Sequence, residues 1–246
     1  EGVQRKEKWD AESKLREQSP DERLLLTARG TGPETDGKTL STDSSDLSAD
    51  QIRWLYGKEV DGLRSRIPEG QEKPNLLGDI VNSAPFLLTP PSNGERLGMV
   101  FVGANDGMLH GFSADNGKEL FAYLPRELVT SQPGKKAPLE SLMAPDYTHR
   151  YFVDGSPVAR NVDIEDGPDA VVVGTMGAGG RTVFALDVSD PEGMSRNDVL
   201  WEFSADALGE GVTRPSISRI RYQGESRWVA LFGNGYNSKT QQAALF

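Results

Sequence analysis

Cysteine is absent from this sequence, which excludes disulfide bridges, thiolate metal sites and cysteine nucleophiles together. Long hydrophobic runs are also absent. Stretches such as residues 170–173 are far too short to cross a bilayer, so no transmembrane segment is expected. Basic residues are outnumbered, with 27 Lys and Arg against 37 Asp and Glu. The net charge of −10 argues against nucleic acid as a partner, because phosphate binding needs clustered basic side chains.

An initiating methionine and a signal peptide are missing at Glu1, so we interpret the 246 residues as an interior piece of a longer protein. The missing signal therefore carries no information about secretion. Hydrophobic residues make up 36% of the chain, whereas Gly (27) and Pro (15) are plentiful. This balance favours many short strands joined by turns over long helices.

The most regular pattern is a four-strand module in residues 76–125. Apolar and aromatic runs predict strands at residues 84–88, 99–103, 108–114 and 119–124. Turn residues separate the later strands, as Asn105-Asp106-Gly107 and residues 115–118. Because Asn, Asp and Gly tolerate positive φ, type I′ hairpin turns are predicted there. We expect these turns to set the geometry of the module rather than to bind a ligand.

The same order of elements recurs twice more in the chain. Each unit has an early proline and, later, a strand ending in glycine; these are Pro85, Pro157 and Pro215, then Gly103, Gly174 and Gly233. Radial stacking as propeller blades buries both apolar faces of such units. We therefore predict an all-β fold over residues 76–246, a partial, quinoprotein-like β-propeller of about three four-stranded antiparallel blades, the last one incomplete. A β-sandwich, the competing architecture, does not require one strand order in every unit.

Residues 1–75 differ in composition and are predicted to form a leader of short helices and irregular chain. Residues 23–27 (RLLLT) predict a short buried segment or strand. Residues 28–46 are rich in Gly, Ser, Thr and Asp and predict a mobile loop. Ser48 and Gln51 have the spacing of a capping box, which predicts a helix beginning at this point.

Residues 126–150 interrupt the repeat and contain three prolines. Insertions of this kind lie on one rim of a propeller and often bind a partner, so we predict binding there. His149 lies in this insertion and is a candidate for a surface site, whereas His110 is predicted to be packed and hydrogen-bonded within a strand. The sequence does not assemble a nucleophile, a base and an oxyanion site. We therefore predict no catalytic residues and no enzymatic activity.

Residues 162–170 (VDIEDGPDA) come closest to a calcium loop. Asp163, Glu165 and Asp169 supply hard oxygen ligands around Gly167, but the closing bidentate Glu is missing and Pro168 interrupts the loop. An exposed hairpin turn between two strands is the simpler interpretation. We assign no metal ligand and no cofactor-binding residue, and keep Asp163, Glu165 and Asp169 as weak calcium candidates.

Residues 174–180 (GTMGAGG) invite a dinucleotide-binding interpretation. Thr182 stands where the third glycine belongs, and a strand pattern follows instead of a helix, so a tight, crowded turn near the propeller axis is favoured.

Aromatic residues at repeat positions of the strands predict packing between blades. They are Phe121, Tyr123, Trp201, Phe203, Trp228 and Phe232.

Six segments resemble a known family in their order along the chain. They are LLGDIVNSAP from residue 76, VFVGANDGMLHGFSADNGKELFAYLPRELV from residue 100, HRYFVDGSP from residue 149, VVVGTMGAGGRTVFALDVSDP from residue 171, VLWEF from residue 199 and WVALFGNGYNS from residue 228. Together they resemble the C-terminal propeller of the type IV pilus tip proteins called PilY1 in some bacteria and PilC in others. The family's calcium loop lies beyond the last of these segments, so the resemblance carries no calcium residues onto this chain.

The resemblance implies a non-enzymatic pilus assembly factor and surface adhesin, reaching the cell surface at the type IV pilus through the periplasm and outer membrane. It implies pilins, minor pilins and a host or abiotic surface as partners, with no cofactor in this segment and calcium in the full-length protein. One alternative is a quinone-dependent dehydrogenase, because residues 114–123 (ADNGKELFAY) resemble a repeat of those propellers, with Asn116 in place of Thr. The other alternative is a general protein-binding scaffold.

Overall fold

The computed structural model describes residues 8–91, 96–165 and 167–246. Its α-helices and strands, in chain order, are α1 (Ala11–Glu17), β1 (Leu25–Arg29), β2 (Asp36–Thr39), α2 (Ala49–Tyr56), β3 (Phe86–Leu88), β4 (Met99–Ala104), β5 (Met108–Ser113), β6 (Glu119–Tyr123), α3 (Arg126–Val129), β7 (Val158–Asn161), β8 (Ala170–Thr175), β9 (Val183–Asp187), β10 (Val199–Phe203), β11 (Ser216–Tyr222) and β12 (Glu225–Leu231). Single 3₁₀ segments lie at Pro20–Glu22, Gly32–Glu34, Pro138–Met143, Gly177–Gly179 and Arg196–Asp198. None of the described helices is long and apolar enough to span a membrane.

The predicted four-strand module is present as β3, β4, β5 and β6, each antiparallel to its neighbour. Two strands from the leader extend it, so the first sheet has the order β2-β1-β6-β5-β4-β3. Strand β1 runs parallel to β6, with Leu25 opposite Ala122 and Leu26 opposite Tyr123. The leader and the first module therefore share one sheet.

The prediction of a mobile loop at residues 28–46 was wrong for part of that stretch. Asp36–Thr39 forms β2 and pairs with β1 from Leu26↔Thr39 to Arg29↔Asp36. Its Gly and Thr content gives a weak strand signal, but the backbone of a neighbouring strand supplies a hydrogen-bonding partner whatever the side chains are. The capping box of Ser48 and Gln51 is confirmed at the start of α2.

The predicted type I′ turn between β4 and β5 was also wrong. Ala104 pairs with Met108, which leaves three residues in the loop, whereas a type I′ hairpin has two. Only Gly107 in this loop has positive φ, at +92°, and its N–H donates to the Ala104 carbonyl over 3.2 Å. This is the three-residue hairpin pattern, which needs a left-handed residue at its third position rather than at its first two.

The second sheet has the order β10-β9-β8-β7, and all of its pairs are antiparallel. Strands β11 and β12 form a hairpin, and an isolated bridge from Gly233 to Leu245 extends the pairing. The first strand of each unit lies beside that of the next, β3 against β7 and β7 against β11. The three units therefore follow one another through space as they do along the chain.

The principal apolar core joins the leader to the first two sheets. Leu25 and Leu26 of β1 pack into it with Phe121, and the Tyr123 ring lies 4.8 Å from that of Phe184 on β9. A second cluster fills the space between the second sheet and the hairpin, where the Phe203 and Phe232 rings lie 6.0 Å apart. Aromatic residues at repeat positions thus pack between units, as the sequence predicts for Tyr123, Phe203 and Phe232.

Candidate functional site

Alternating strand direction places some loops of all three units at one edge of the molecule. In an antiparallel unit, the loops after the second and fourth strands leave the sheet at the same end. We call this end the insertion rim; it comprises residues 105–107, 126–157, 176–182, 204–215 and 232–244. The long insertion predicted to bind a partner belongs to this rim.

A buried charged network supports the rim beneath the turn at residues 105–107. His110 on β5 is fully buried, and its Nδ1 lies 2.8 Å from Glu119 Oε1 while its Nε2 lies 3.0 Å from Asp106 Oδ2. Arg23 of the leader contacts the same Glu119 through Nε at 2.7 Å and Nη2 at 3.0 Å. The prediction of a packed, hydrogen-bonded His110 is confirmed.

Both His110 nitrogens face carboxylates, so the imidazolium form is the one that satisfies the site. Burial opposes that charge, but Asp106 and Glu119 outweigh it and raise the pKa of His110 to about 9. Burial also opposes the charge of Glu119, yet Arg23 and His110 lower the pKa of that carboxyl to about 2. These side chains carry matched charges out of contact with solvent, which suits a structural role better than proton transfer to a bound substrate.

A second network links the rim loops to the segment before β3. Asp79 Oδ2 accepts from Asn105 Nδ2 at 3.0 Å and lies 2.7 Å from His149 Nε2. Asn105 Oδ1 in turn accepts from the Phe152 backbone N–H at 3.0 Å. The candidate surface residue His149 therefore ties the insertion to the first unit.

A cavity of about 230 Å³ opens beside this network, where the leader, the segment before β3 and the insertion meet. Trp54, Arg64 and Arg66 line its leader side, and Leu142 and Tyr147 line its insertion side. Trp54 is buried, whereas both arginines are half-buried. The cavity thus combines aromatic walls with two guanidinium groups.

Glu202 connects the rim of the first unit to the second sheet. Its Oε1 accepts from Tyr123 Oη at 2.6 Å and from the Arg126 N–H at 2.7 Å, and its side chain borders a polar cleft of about 610 Å³. Burial raises the pKa of Glu202 to about 7, and burial also raises the pKa of Tyr123. A carboxyl group that titrates near neutral pH therefore lies at the junction between two units.

The calcium candidates lie at the opposite edge, in the loop between β7 and β8. Asp163 is occupied by protein donors, with Oδ1 accepting from Trp228 Nε1 at 2.7 Å and Oδ2 from Arg219 Nη1 at 2.8 Å. Asp169 is held through its backbone N–H by Ser189 Oγ at 2.8 Å. In the described ranges, the structure brings no three acidic, His or Cys side chains together as a metal site.

The glycine-rich segment after β8 forms a crowded turn, as predicted. A Cβ on Gly179 would lie 2.0 Å from the Phe152 carbonyl oxygen, and Gly177 has φ of +55°. Strand β9 follows at Val183–Asp187, so the helix that a dinucleotide pyrophosphate needs is not there. The dinucleotide interpretation is excluded by this geometry.

Sequence reasoning missed most of the polar residues that shape the rim, among them Arg23, Glu119, Glu202, Arg64 and Arg66. Charged side chains are usually solvated, and pattern alone does not distinguish a buried one. One signal was present for Glu119, because its side chain projects from a strand whose other residues are mostly apolar.

The sheets are repeated and mostly antiparallel, their first strands lie side by side, and long loops share one rim. These features define the class as an all-β repeat protein. The PilY1 beta-propeller domain family matches residues 77–246, and the chain belongs to this family. The resemblance that the sequence motifs indicated is thereby confirmed.

Curated relatives are named type IV pilus biogenesis factors. A PilY1 homolog from Xylella fastidiosa is 41% identical over 225 residues, covering 79% of this chain and 14% of the relative. PilY1 from Pseudomonas aeruginosa strain UCBPP-PA14 is 30% identical over 288 residues, covering 99% of this chain and 23% of the relative. This chain therefore spans less than a quarter of the length of either. A crystal structure of the Pseudomonas aeruginosa PilY1 C-terminal domain is 35% identical, has a TM-score of 0.46, and covers 62% of this chain and 27% of that one.

Proposed function

We propose that this chain serves type IV pilus biogenesis and surface attachment, by binding partners rather than by catalysis. The observation that carries the proposal is family membership over residues 77–246, together with relatives named type IV pilus biogenesis factors. In this proposal the protein acts at the cell surface, after passing the periplasm and outer membrane. Its partners are pilins, minor pilins and a host or abiotic surface.

The two sheets and the hairpin are, in this proposal, successive blades of the propeller. The side-by-side first strands β3, β7 and β11 support it, because blades that radiate from one axis bring their innermost strands together. The insertion rim is the binding face. Its loops come from all three units, and its exposed Lys135, Lys136 and Arg150 contrast with the acidic character of the whole chain.

Deleting the gene in its own bacterium tests the proposal. We expect fewer surface pili by electron microscopy and fewer cells attached to glass or to host cells, with both restored by the wild-type gene. Unchanged pilus number and attachment in the deletion strain would contradict the proposal.

A separate measurement addresses the quinone-dependent dehydrogenase alternative. Adding pyrroloquinoline quinone to the purified chain should change neither the absorption spectrum of the quinone nor the melting temperature of the protein. A stoichiometric spectral shift with thermal stabilisation would support the enzyme instead, because a bound ligand stabilises the folded state.

A further inference from the structure

The cavity beside Trp54 has an unusual charge arrangement. Arg64 stacks on the Tyr147 ring with its guanidinium carbon 4.4 Å from the ring centre, and Arg66 stacks on Trp54 at 3.7 Å. Stacking on aromatic rings holds a guanidinium group in place while leaving its edge free to donate. The two groups are therefore oriented before any ligand arrives.

Neither guanidinium has a carboxylate partner among the described residues. Arg66 donates to the Trp54 carbonyl oxygen. Within the described residues, the side chain of Arg64 makes no hydrogen bond, and neither arginine forms an ion pair. Their Nε atoms are buried without a partner in the same part of the chain. Burial lowers the pKa of Arg64 and outweighs the opposing effect of Asp79. Burial and the nearby positive charge of Arg23 lower the pKa of Arg66 to about 9, outweighing the effects of Asp106 and Glu59, neither of which pairs with it.

The acidic groups that border the cavity already accept hydrogen bonds from other parts of the protein. Asp106 accepts from the Gly78 N–H at 2.8 Å and contacts His110, and Asp79 Oδ2 is shared by Asn105 and His149. Among the described residues, the hydrogen-bond donors at the cavity that lack an acceptor thus belong to the arginines. A planar guanidinium pairs best with a carboxylate, which accepts two parallel N–H bonds.

The size of the cavity limits the ligand to a small group. A volume of about 230 Å³ is several times the roughly 30 Å³ that one water occupies, so a single acidic side chain fits. The Asp79 side chain is 51% exposed at the cavity mouth, where it can accept a peptide N–H but would repel a second free carboxylate. The arginines inside the cavity attract a carboxylate, and Asp79 at its mouth accepts an N–H. A peptide supplies both groups, whereas a free dicarboxylate supplies no N–H.

We propose that this cavity binds one Asp or Glu side chain of an extended segment in a partner protein, with the carboxylate against Arg64 and Arg66. The inference rests on the proposed protein-binding role of the insertion rim and specifies the chemistry of the partner. It predicts that acidic residues of the partner, rather than basic or apolar ones, enter between the leader and the insertion.

A peptide titration tests the inference in vitro, independently of pilus formation. The probe is a blocked pentapeptide with one glutamate flanked by glycines, and the readout is the NMR shift of the Trp54 indole N–H in the whole chain. We expect the glutamate peptide to bind at least about tenfold more tightly than its glutamine counterpart and more tightly than free glutarate. Equal binding of the two peptides, or no saturation at about 10 mM, would overturn the inference. Glutarate binding as tightly as the peptide would overturn the peptide assignment.

Variants locate the binding. Arg64→Gln should weaken the glutamate peptide at least about tenfold, and Arg64→Lys should weaken it less, because the charge remains while the planar fork is lost. Arg221→Gln, on the exposed hairpin β11–β12, is the matched control and should bind like wild type. Near-ultraviolet circular dichroism checks that each variant is folded. Unchanged binding in folded Arg64→Gln would exclude this cavity as the site. If peptide binding fails while deletion of the gene still removes pili, only this inference falls.

Discussion

Buried charges beneath the insertion rim are matched residue by residue. Arg23, Glu119, His110 and Asp106 alternate in sign, and each contact between neighbours is 3.0 Å or shorter. A buried ion pair adds little net stability compared with apolar packing, but removing one partner leaves an uncompensated charge. The network therefore fixes how the leader joins the first sheet, and single substitutions in it should strongly lower the free energy of unfolding.

Glu119→Gln should lower the free energy of unfolding by about 3–5 kcal/mol, because it leaves Arg23 and His110 buried without their shared carboxylate. Urea unfolding followed by circular dichroism measures the change. Glu17→Gln is the control, since it removes an exposed pair with Lys14 on α1 and should cost no more than about 0.5 kcal/mol. A loss below 1 kcal/mol for Glu119→Gln would contradict the proposed role of the network.

His110→Gln should destabilise the chain in a pH-dependent way. The pKa of His110 is raised to about 9 in the folded state, so its charge stabilises fully below its ordinary value of 6.5, and the contribution is lost as pH rises through about 9. The difference in unfolding free energy between variant and wild type should therefore be largest near pH 6 and shrink above pH 9. His149→Gln, which removes an exposed pair with Asp79, is the control variant. A difference that does not change with pH would show that His110 is uncharged.

Glu202→Gln should stabilise the chain at alkaline pH. The pKa of Glu202 is raised to about 7, so the folded state binds the proton more tightly, and wild-type stability falls as pH rises from about 4.5 through 7. Glutamine keeps an oxygen for Tyr123 and the Arg126 N–H but carries no charge, so we expect a gain of about 1–3 kcal/mol at pH 8 and little change at pH 4. Glu225→Gln, which removes an exposed pair with Arg227, is the control. Destabilisation by Glu202→Gln at pH 8 would contradict this assignment.

At this scale the sequence predicted His110 correctly as packed and hydrogen-bonded, but it did not predict the partners. Arg23 and Glu119 are 96 positions apart, and only the parallel pairing of β1 with β6 brings them together. The local sequence pattern contains no information about contacts between residues so far apart along the chain. The same reason explains why Arg64 and Arg66 were not recognised as parts of a cavity.

Secondary-structure elements of the repeat were predictable because each strand has its own apolar run and its own turn. Strands β4, β5 and β6 fall within a residue or two of their predicted bounds. Strand β2 was missed because its residues have low strand propensity and are fixed by β1. The turn type between β4 and β5 was missed because loop length depends on strand register.

Removing β1 should destabilise the first sheet. A chain cut to residues 77–246, the span of the family match, loses Arg23 and the buried Leu25 and Leu26, and exposes the edge of β6. We expect it to aggregate or to unfold at a clearly lower urea concentration than the whole chain. A chain of residues 8–246 keeps every described contact and should match the whole chain. Equal stability of the 77–246 chain would contradict the view that the leader completes the sheet.

At the scale of the whole molecule, membership in the PilY1 beta-propeller domain family and the shared rim of three units are consistent with a binding protein. The family was accessible from sequence because its motifs lie in order along the chain. The binding face proposed above could be located only from the topology, because the strand directions show that the loops at residues 105–107 and 126–150 lie at the same end. The role proposed here therefore depends on which edge of the molecule contacts the pilus.

The most direct test complements the deletion strain with two edge variants and counts surface pili. One variant carries Lys135→Ala, Lys136→Ala and Arg150→Ala on the insertion rim, and the other carries Lys118→Ala and Glu192→Ala at the opposite edge; all five side chains are exposed. With both proteins present at wild-type level, the rim variant should give fewer pili and the opposite-edge variant should restore wild-type numbers. Full restoration by both, or loss only with the opposite-edge variant, would contradict the assignment of function to the insertion rim.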